Sequence, residues 1–292
     1  MTTDFGRAAN LRGSLLMVAA MAGFAVEDMF LKSAARLMPV GEVITLFGLG
    51  GMVIFAVLTM ARGEVVFPRA LLSRPMLVRS GFEVTGRLFY ALAITLTPLS
   101  VASAILQATP LVVVAGAAVI FGEVVGWRRW AAIVAGFCGV LLIIRPGLDG
   151  FDALSFLTVI GLIGFAGRDL ATRAAPPALS NMQLGVAGFA MLTIAGIVIL
   201  LVNGDFAAPS GAGLIRVAAA TVVGVGAYTA LTAAMRTGEV SAVTPFRYTR
   251  LVFALILGMV VFDEAPDTIT LIGSAIVVAS GIYVLTQNRR AT

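Results

Sequence analysis

Long apolar runs fill this sequence from about residue 13 to residue 287, and short stretches with proline, glycine or arginine separate them. An α-helix needs about 20 mostly apolar residues to cross the roughly 30 Å hydrocarbon core of a bilayer. The pattern predicts ten such helices, over 13–35, 40–61, 76–97, 99–121, 127–145, 152–173, 180–202, 211–235, 240–262 and 267–287. We therefore expect an all-α integral membrane protein, since helices satisfy their own backbone hydrogen bonds in lipid.

The composition excludes a soluble chain. Of 292 residues, 60% are hydrophobic and 12% are charged, and the mean hydropathy is +1.03. One soluble core cannot bury that much apolar surface. Cys138 lies inside an apolar run. Because it is the single cysteine in the sequence, an intramolecular disulfide is excluded.

The basic residues indicate how the helices are oriented. The net charge is +5, and the bases are scattered between apolar runs rather than grouped with aromatic residues, which argues against a nucleic-acid partner. If both termini are cytoplasmic, eleven inside bases face four outside ones: Arg7, Arg12, Arg62, Arg69, Arg74, Arg128, Arg129, Arg173, Arg236, Arg289 and Arg290 against Lys32, Arg36, Arg145 and Arg216. The positive-inside rule favours this topology.

Two pairs of segments repeat at a spacing of 141 residues. Ser100–Glu123 and Ser241–Glu264 share serine, phenylalanine and glutamate at matched positions, and Gly23–Lys32 matches Gly164–Arg173. The spacing predicts two five-helix repeats, 1–146 and 147–292. Because five is an odd number, the second repeat enters the membrane from the opposite side. Inverted repeats around a central cavity are typical of alternating-access transporters.

These motifs resemble those of a known family. The fourth and ninth predicted spans end in FGE (Phe121–Glu123) and FDE (Phe262–Glu264). The stretch from Gly273 to Gly281 in the last span is similar to the pattern with which members of this family end. The chain resembles the drug/metabolite transporter superfamily in its EamA-type ten-helix form, and within it the YddG-type amino-acid exporters. The resemblance implies amino-acid export across the bacterial inner membrane. Since PFRYTRLVFALILG is similar to a segment of metabolite importers too, uptake of a riboflavin-like or S-adenosylmethionine-like compound is the alternative.

Ionisable and amide side chains within the predicted spans are candidates for function. They are Glu27, Asp28, Glu83, Arg87, Gln107, Arg168, Asp169, Arg247 and Arg250. A charge at the centre of a lipid-exposed helix costs about 2.5–3.5 kcal/mol on insertion scales, so these groups must face the bundle interior or a wet cavity. Glu83 and Arg87 share one helix face and form either a structural ion pair or part of a site. Glu27-Asp28 and Arg168-Asp169 fit helix-packing or gate pairs.

We expect the substrate site where such groups meet at similar depth. Arg247 and Arg250 are about 4.5 Å apart along the helix axis, and together they suit a carboxylate, unless they pair with Glu83 or Asp169. Tyrosine and glutamine add uncharged donors and acceptors, or interhelical hydrogen bonds. The candidate substrate-binding residues are Arg87, Tyr90, Gln107, Tyr228, Arg247, Tyr248 and Arg250, and the candidate hinges are Pro110 and Pro245.

Other classes of function fit less well. The chain has no histidine, one cysteine and neither an HExxH nor a GxSG motif, so we expect no enzyme, no metal site and no cofactor. A channel or a structural subunit is compatible with the composition alone. We expect a small-molecule substrate and membrane lipids as partners, and a monomer or weak homo-oligomer.

Overall fold

The computed structural model describes residues 2–96, 105–106, 108–144, 155–262 and 268–290. Within these ranges the secondary structure is helical, with no strand. The long helices are α1 (Thr2–Ala34), α2 (Val40–Ala61), α3 (Arg74–Leu96), α4 (Thr109–Phe121), α5 (Trp127–Ile144), α6 (Ser155–Arg173), α7 (Asn181–Asn203), α8 (Gly211–Met235), α9 (240–262) and α10 (Thr268–Arg290). A short 3₁₀ turn, Arg69–Leu72, lies before α3.

The ninth segment is interrupted at its proline. It begins with one α-turn, Val240–Val243, continues as a 3₁₀ turn, Thr244–Tyr248, and becomes α-helical again at Thr249–Phe262. Pro245 has no N–H to donate, so a regular α-helical hydrogen bond is lost at this point. The 3₁₀ turn therefore places Arg247 and Tyr248 at a break in the helix rather than inside a regular one.

Most helix ends lie close to the predicted ones. The bounds of α2 and α8 coincide with the prediction, whereas α1 begins 11 residues early because no proline interrupts the chain after Thr2. Ser180 caps α7 through a capping box: its Oγ accepts from Gln183 N at 3.2 Å, and Gln183 Oε1 accepts from Ser180 N at 2.9 Å. The predicted site residue Gln107 and the repeat-motif residues Ser100 and Glu264 lie outside the described residues.

Four described helices, α1, α2, α7 and α8, are long and apolar enough to cross a membrane. In α3 and α6 the apolar pattern is broken by charged residues, Arg79, Glu83 and Arg87 in α3 and Arg168 with Asp169 in α6. These two helices therefore carry several charged residues within an otherwise apolar stretch.

Helices pack in four main pairs: α1 with α8, α2 with α7, α3 with α6, and α5 with α10. Each pair is antiparallel, as Gly41 beside Leu200 and Gly48 beside Thr193 show for α2 and α7. If the repeats are superposed, α1 corresponds to α6, α2 to α7, α3 to α8 and α5 to α10. If each helix is replaced by its counterpart in the other repeat, the pair α1–α8 becomes α6–α3, and α2–α7 and α5–α10 become themselves. The set of four pairs therefore stays the same.

Glycines allow these pairs to approach closely. A Cβ added to Gly48 of α2 would lie 2.7 Å from the backbone nitrogen of Thr193 on α7. On α1, a Cβ at Gly23 would lie 2.8 Å from the Ala227 side chain of α8. Small residues at helix interfaces increase van der Waals contact, which drives helix association in lipid. The aromatic rings of Phe47, Phe55 and Phe189 fill the core beside these seams.

We expect Gly48→Ala to destabilise the protein by about 1–3 kcal/mol, because the new methyl group overlaps the backbone of α7. The control is Gly226→Ala in α8, where an added Cβ meets nothing within 4 Å; removing a helical glycine there is neutral or stabilising by about 0.5–1 kcal/mol. Thermal unfolding of both variants in detergent measures the difference. Equal melting temperatures would contradict the close approach of α2 and α7.

Candidate functional site

The face of α3 carries a carboxylate between two guanidinium groups. Arg79, Glu83 and Arg87 are spaced four residues apart, so they lie on one side of the helix. Arg79 Nη2 is 3.7 Å from Glu83 Oε2, and Arg87 Nε is 4.0 Å from Glu83 Oε1. Arg79 and Glu83 are each 1% exposed, whereas the Arg87 side chain is 27% exposed. The two ends of this face therefore differ in their access to solvent.

The α6 helix supplies the partners of Glu83. Arg168 Nη1 is 3.2 Å from Glu83 Oε1, and Arg168 Nε donates to Asp169 Oδ1 at 2.9 Å. Asp169 is also 1% exposed. These contacts join α3 to α6 through a carboxylate–guanidinium–carboxylate chain that is buried among helices. Burial of such charges is tolerated only when each is paired and hydrogen-bonded.

Tyr228 of α8 completes the buried end of the network. Its hydroxyl donates to Glu83 Oε2 at 3.1 Å and accepts a hydrogen bond from Arg79 Nη2. Arg79 Nε donates to Thr172 Oγ1 at 2.9 Å. The Tyr228 ring packs edge-on against Phe189, with 5.3 Å between centroids. Tyr228 thus ties α3 to α8 and is itself buried.

The two arginines of α9 contact carboxylates of the two repeats. Arg247 forms an ion pair with Asp169 of α6, and Arg250 forms one with Asp28 of α1. The Arg247 side chain is 14% exposed and that of Arg250 is 36% exposed. Of the alternatives for Arg247, pairing with Asp169 is therefore the arrangement in this structure. The helix interrupted at Pro245 is thereby held to α1 and α6.

Aromatic rings flank the exposed arginines. The Arg87 guanidinium lies 5.7 Å from the centroid of Phe165, and that of Arg250 lies 5.3 Å from Phe24. Tyr90 packs edge-on against Phe165, with 5.9 Å between ring centroids. Arginine over an aromatic face is stabilised by a cation–π interaction. Arg87 and Tyr90 thus share Phe165 as a neighbour, whereas Arg250 lies over Phe24.

Five arginines and four acidic residues form what we call the charged cluster: Arg79, Arg87, Arg168, Arg247, Arg250, Glu27, Asp28, Glu83 and Asp169. With every member ionised, the cluster carries one surplus positive charge. Arg87 is the member with the weakest ionic contact, 4.0 Å, and its Nε has no hydrogen-bond partner within the described part of the chain. An anion is the ligand that this arrangement suits.

The structure separates Tyr248 from the other predicted site residues. Its ring is fully buried between α5 and α10, and its hydroxyl donates to the Ile133 carbonyl at 3.2 Å. Gly136 makes room there, since a Cβ at that position would lie 2.6 Å from the Tyr248 ring. The expectation that Tyr248 faces the same cavity as Arg247 is thus not met, because the 3₁₀ turn directs the two neighbours to different sides.

The predicted hinge prolines occupy different settings. Pro110 lies in the first turn of α4, a position where its missing N–H costs no helical hydrogen bond. Pro245 lies in the 3₁₀ turn within α9. The structure therefore shows a helix break at Pro245, whereas at Pro110 it shows a helix start.

The sequence analysis did not predict two features of the structure: the position of Arg79 in the charged cluster and the capping role of Glu123. Arg79 lies near the beginning of α3, five residues after Arg74, and was not among the predicted site residues; its spacing of four from Glu83 was the available signal. Glu123, at the end of the FGE motif, accepts hydrogen bonds from Val240 N at 2.9 Å and Ser241 N at 3.0 Å. The motif glutamate therefore caps the first turn of α9.

An apolar cavity of about 370 Å³ lies between α2, α3 and α7. Its lining includes Met38, Leu88, Leu92, Leu200 and Asp205. None of the described residues that line it belongs to the charged cluster.

Long apolar helices around a buried charged cluster define an integral membrane protein with an internal polar site. The chain belongs to the EamA-like transporter family, which matches residues 11–145 and again residues 152–286. It is therefore a membrane transporter of the drug/metabolite transporter superfamily. The two matches have the same length, and the second begins 141 residues after the first.

Relatives in bacteria carry different substrates. A riboflavin transporter of Rhizobium johnstonii is 26% identical over 77% of this chain and 72% of its own length. An S-adenosylmethionine uptake transporter of Rickettsia felis is 23% identical over 75% of this chain and 74% of its own. The pseudopaline exporter CntI of Pseudomonas aeruginosa is 26% identical over 92% of this chain and 94% of its own.

A solved crystal structure shares the fold. Its TM-score is 0.80 at 21% sequence identity, and the match covers 95% of this chain and 99% of the other. This likeness shows the helical architecture alone.

We expect Asp169→Asn to destabilise the protein by about 3–5 kcal/mol, since Arg168 and Arg247 would both lose their buried charged partner. The control is Glu239→Gln. Glu239 Oε2 lies 2.5 Å from Arg129 Nη1, but the Glu239 side chain is 51% exposed. An exposed ion pair contributes about 0–1 kcal/mol to stability. Melting temperatures measured in one detergent compare the two. An Asp169→Asn protein as stable as the parent would show that the cluster is not structural.

Proposed function

We propose that this protein is an alternating-access carrier of small metabolites that bear a carboxylate, foremost amino acids, which it exports from the cell. The observation that carries the proposal is the accessibility of the arginines. Arg87 and Arg250 are 27% and 36% exposed, whereas Glu83 and Asp169 beneath them are 1% exposed. A ligand that reaches this surface therefore meets the two guanidinium groups, together with Asp28, which is 53% exposed, before the buried carboxylates.

A carboxylate fits these guanidinium groups better than other anions of similar size. Guanidinium and carboxylate are both planar and form two parallel hydrogen bonds. The Arg87 side chain is 27% exposed and lies 4.0 Å from Glu83, so a substrate carboxylate would bind its guanidinium without displacing a close ion pair. At Arg250 the substrate would compete with Asp28, which is 53% exposed. Tyr90 and Phe165 would contact the rest of the substrate.

The proposed alternating access depends on ten transmembrane helices in two inverted repeats, 1–146 and 147–292. Three observations support this arrangement: the family matches twice at a spacing of 141 residues, the pairing of helices is unchanged when the repeats are exchanged, and the equivalent helices α2 and α7 are antiparallel. Two such halves can exchange roles across the bilayer. We further propose that α9 bends at Pro245, where its helix is interrupted.

Import is the alternative direction. The relatives named as a riboflavin transporter and an S-adenosylmethionine uptake transporter favour a vitamin-like or nucleotide-like substrate entering the cell. The exporter relative, which covers more of this chain, favours the opposite direction. A carrier is reversible, so the substrate and the coupling ion decide the direction of net transport.

The test is counterflow in liposomes. Purified protein is reconstituted, and labelled amino acids, riboflavin and S-adenosylmethionine are offered to vesicles loaded with the same unlabelled compound. We expect transient accumulation of at least one carboxylate-bearing compound, because a carrier exchanges substrate across the bilayer. Riboflavin exchange alone would overturn the carboxylate proposal, and conduction without counterflow would indicate a channel.

The variant Arg87→Lys sharpens this test. Lysine keeps the charge but cannot form the bidentate contact. A charge-assisted hydrogen bond contributes about 1.5–3 kcal/mol, so we expect the half-saturating concentration to rise roughly tenfold or more. The control is Arg216→Lys, whose parent side chain donates to the Ser33 carbonyl at 2.8 Å and should transport like the parent. A melting temperature for each preparation separates lost binding from lost folding.

The topology makes a separate prediction with two matched positions. Phe67 lies in the α2–α3 loop and Phe206 in the α7–α8 loop, and each is 67% exposed. We propose that both termini are cytoplasmic in the bacterial inner membrane, so inverted repeats place these loops on opposite sides. In a Cys138→Ser background, Phe67→Cys should react with an impermeant thiol reagent only from the cytoplasmic side and Phe206→Cys only from outside. Labelling of both from one side would exclude inverted repeats.

A further inference from the structure

Glu27 is a buried carboxyl group that the proposed substrate site does not use. It lies in α1 and is 2% exposed, and its Oε2 has no hydrogen-bond partner among the described residues. It lies against Gly224 of α8: a Cβ built at Gly224 would lie 2.8 Å from Glu27 Oε2, and 2.9 Å from the Phe47 ring of α2. The carboxyl oxygen therefore lies beside a glycine that presents no side chain to pair with it.

Such surroundings favour the neutral acid over the carboxylate. An ionised carboxylate needs hydrogen bonds or a directly paired cation when it leaves water. The charged groups that act on Glu27 come from four helices: Asp28 on α1, Arg87 on α3, Arg168 on α6 and Arg250 on α9. Arg168 and Arg250 already contact other carboxylates, which leaves Arg87 with the weakest ionic contact of the three.

We propose that Glu27 is a proton-binding site, and that its protonation promotes binding of a substrate carboxylate to the arginines of the charged cluster. This inference rests on the part of the proposed function that gives the substrate a carboxylate, and not on the direction of export. The step is one proton transfer: a hydronium ion gives a proton to the Glu27 carboxylate, so an O–H bond of the hydronium ion breaks, the O–H bond of the neutral acid forms, and water is left.

The coupling follows from charge. An ionised Glu27 attracts Arg87 and Arg250 and competes with a substrate carboxylate for them. The neutral acid removes that competition, and linkage requires that a bound substrate in turn strengthens proton binding. Proton and substrate therefore occupy the carrier together and move in the same direction. Under an inward proton gradient this coupling drives uptake, which is the alternative direction named above.

The site itself is tested without any substrate. Infrared spectra of the protein in liposomes are recorded over a pH series, and the band of protonated carboxyl groups is compared between the parent, E27Q and E42Q. Glu42 of α2 is the matched control: it is 9% exposed and also has an unpartnered Oε2, but its Oε1 accepts from Ala207 N at 2.7 Å. A titrating band lost only in E27Q is expected, and an unchanged band in E27Q would overturn the proton site.

The coupling is then tested by counterflow of labelled amino acids and S-adenosylmethionine over the same pH series. In the parent and in E42Q, the half-saturating concentration should rise with pH by roughly 5- to 150-fold, the range usual for coupled binding. In E27Q, which resembles the neutral acid, it should not change with pH. An E27Q protein that follows the parent's pH dependence would overturn the coupling. If no compound is exchanged by the parent, the proposed function fails, while the infrared result still decides the proton site.

Discussion

A charge inside a membrane must be matched by another group of the protein, and this requirement organises the bundle. Glu83 and Asp169 each contact more than one arginine, so α3, α6 and α9 are held in a fixed arrangement. Tyr228 extends the same network to α8. If one buried partner is removed, the others remain as uncompensated charges, which is costlier than never having buried the pair. The polar interior is thus a structural element of the bundle, and in our proposal it is also the surface that binds the substrate.

Close helix packing makes this network possible. Side chains on different helices can form hydrogen bonds only when the backbones approach, and the glycine and alanine seams allow that approach. Gly86 of α3 faces Phe165 and Gly164 of α6, one turn from the ion pairs of Glu83 and Arg168. Small and charged residues therefore act together along α3: the small residues set the distance between α3 and α6, and the charged residues form ion pairs across that distance.

The sequence predicts the helices well because hydrophobic length alone decides where a chain can cross a bilayer. Partners within one helix, such as Glu83 and Arg87, are also readable from their spacing of four. Partners on different helices are not, because they depend on rotation about each helix axis. The 3₁₀ turn in α9 sets the direction of its side chains: Arg250 pairs with Asp28, and Tyr248 turns towards α5 and α10. Pro245 indicates that the helix is interrupted, but it does not indicate the direction in which these side chains then point.

The pairing of helices has a consequence for how the chain is made. Each of the four main helix pairs joins a helix from residues 1–146 to one from residues 147–292. During synthesis, α1 to α5 emerge first, while the partners of Gly48 on α2 and Glu83 on α3 are still inside the ribosome. Until α6 to α8 follow, those glycine faces contact lipid and that carboxylate lacks Arg168. The half-made protein therefore lacks both the close helix packing and the ion pairs between helices that the finished bundle has.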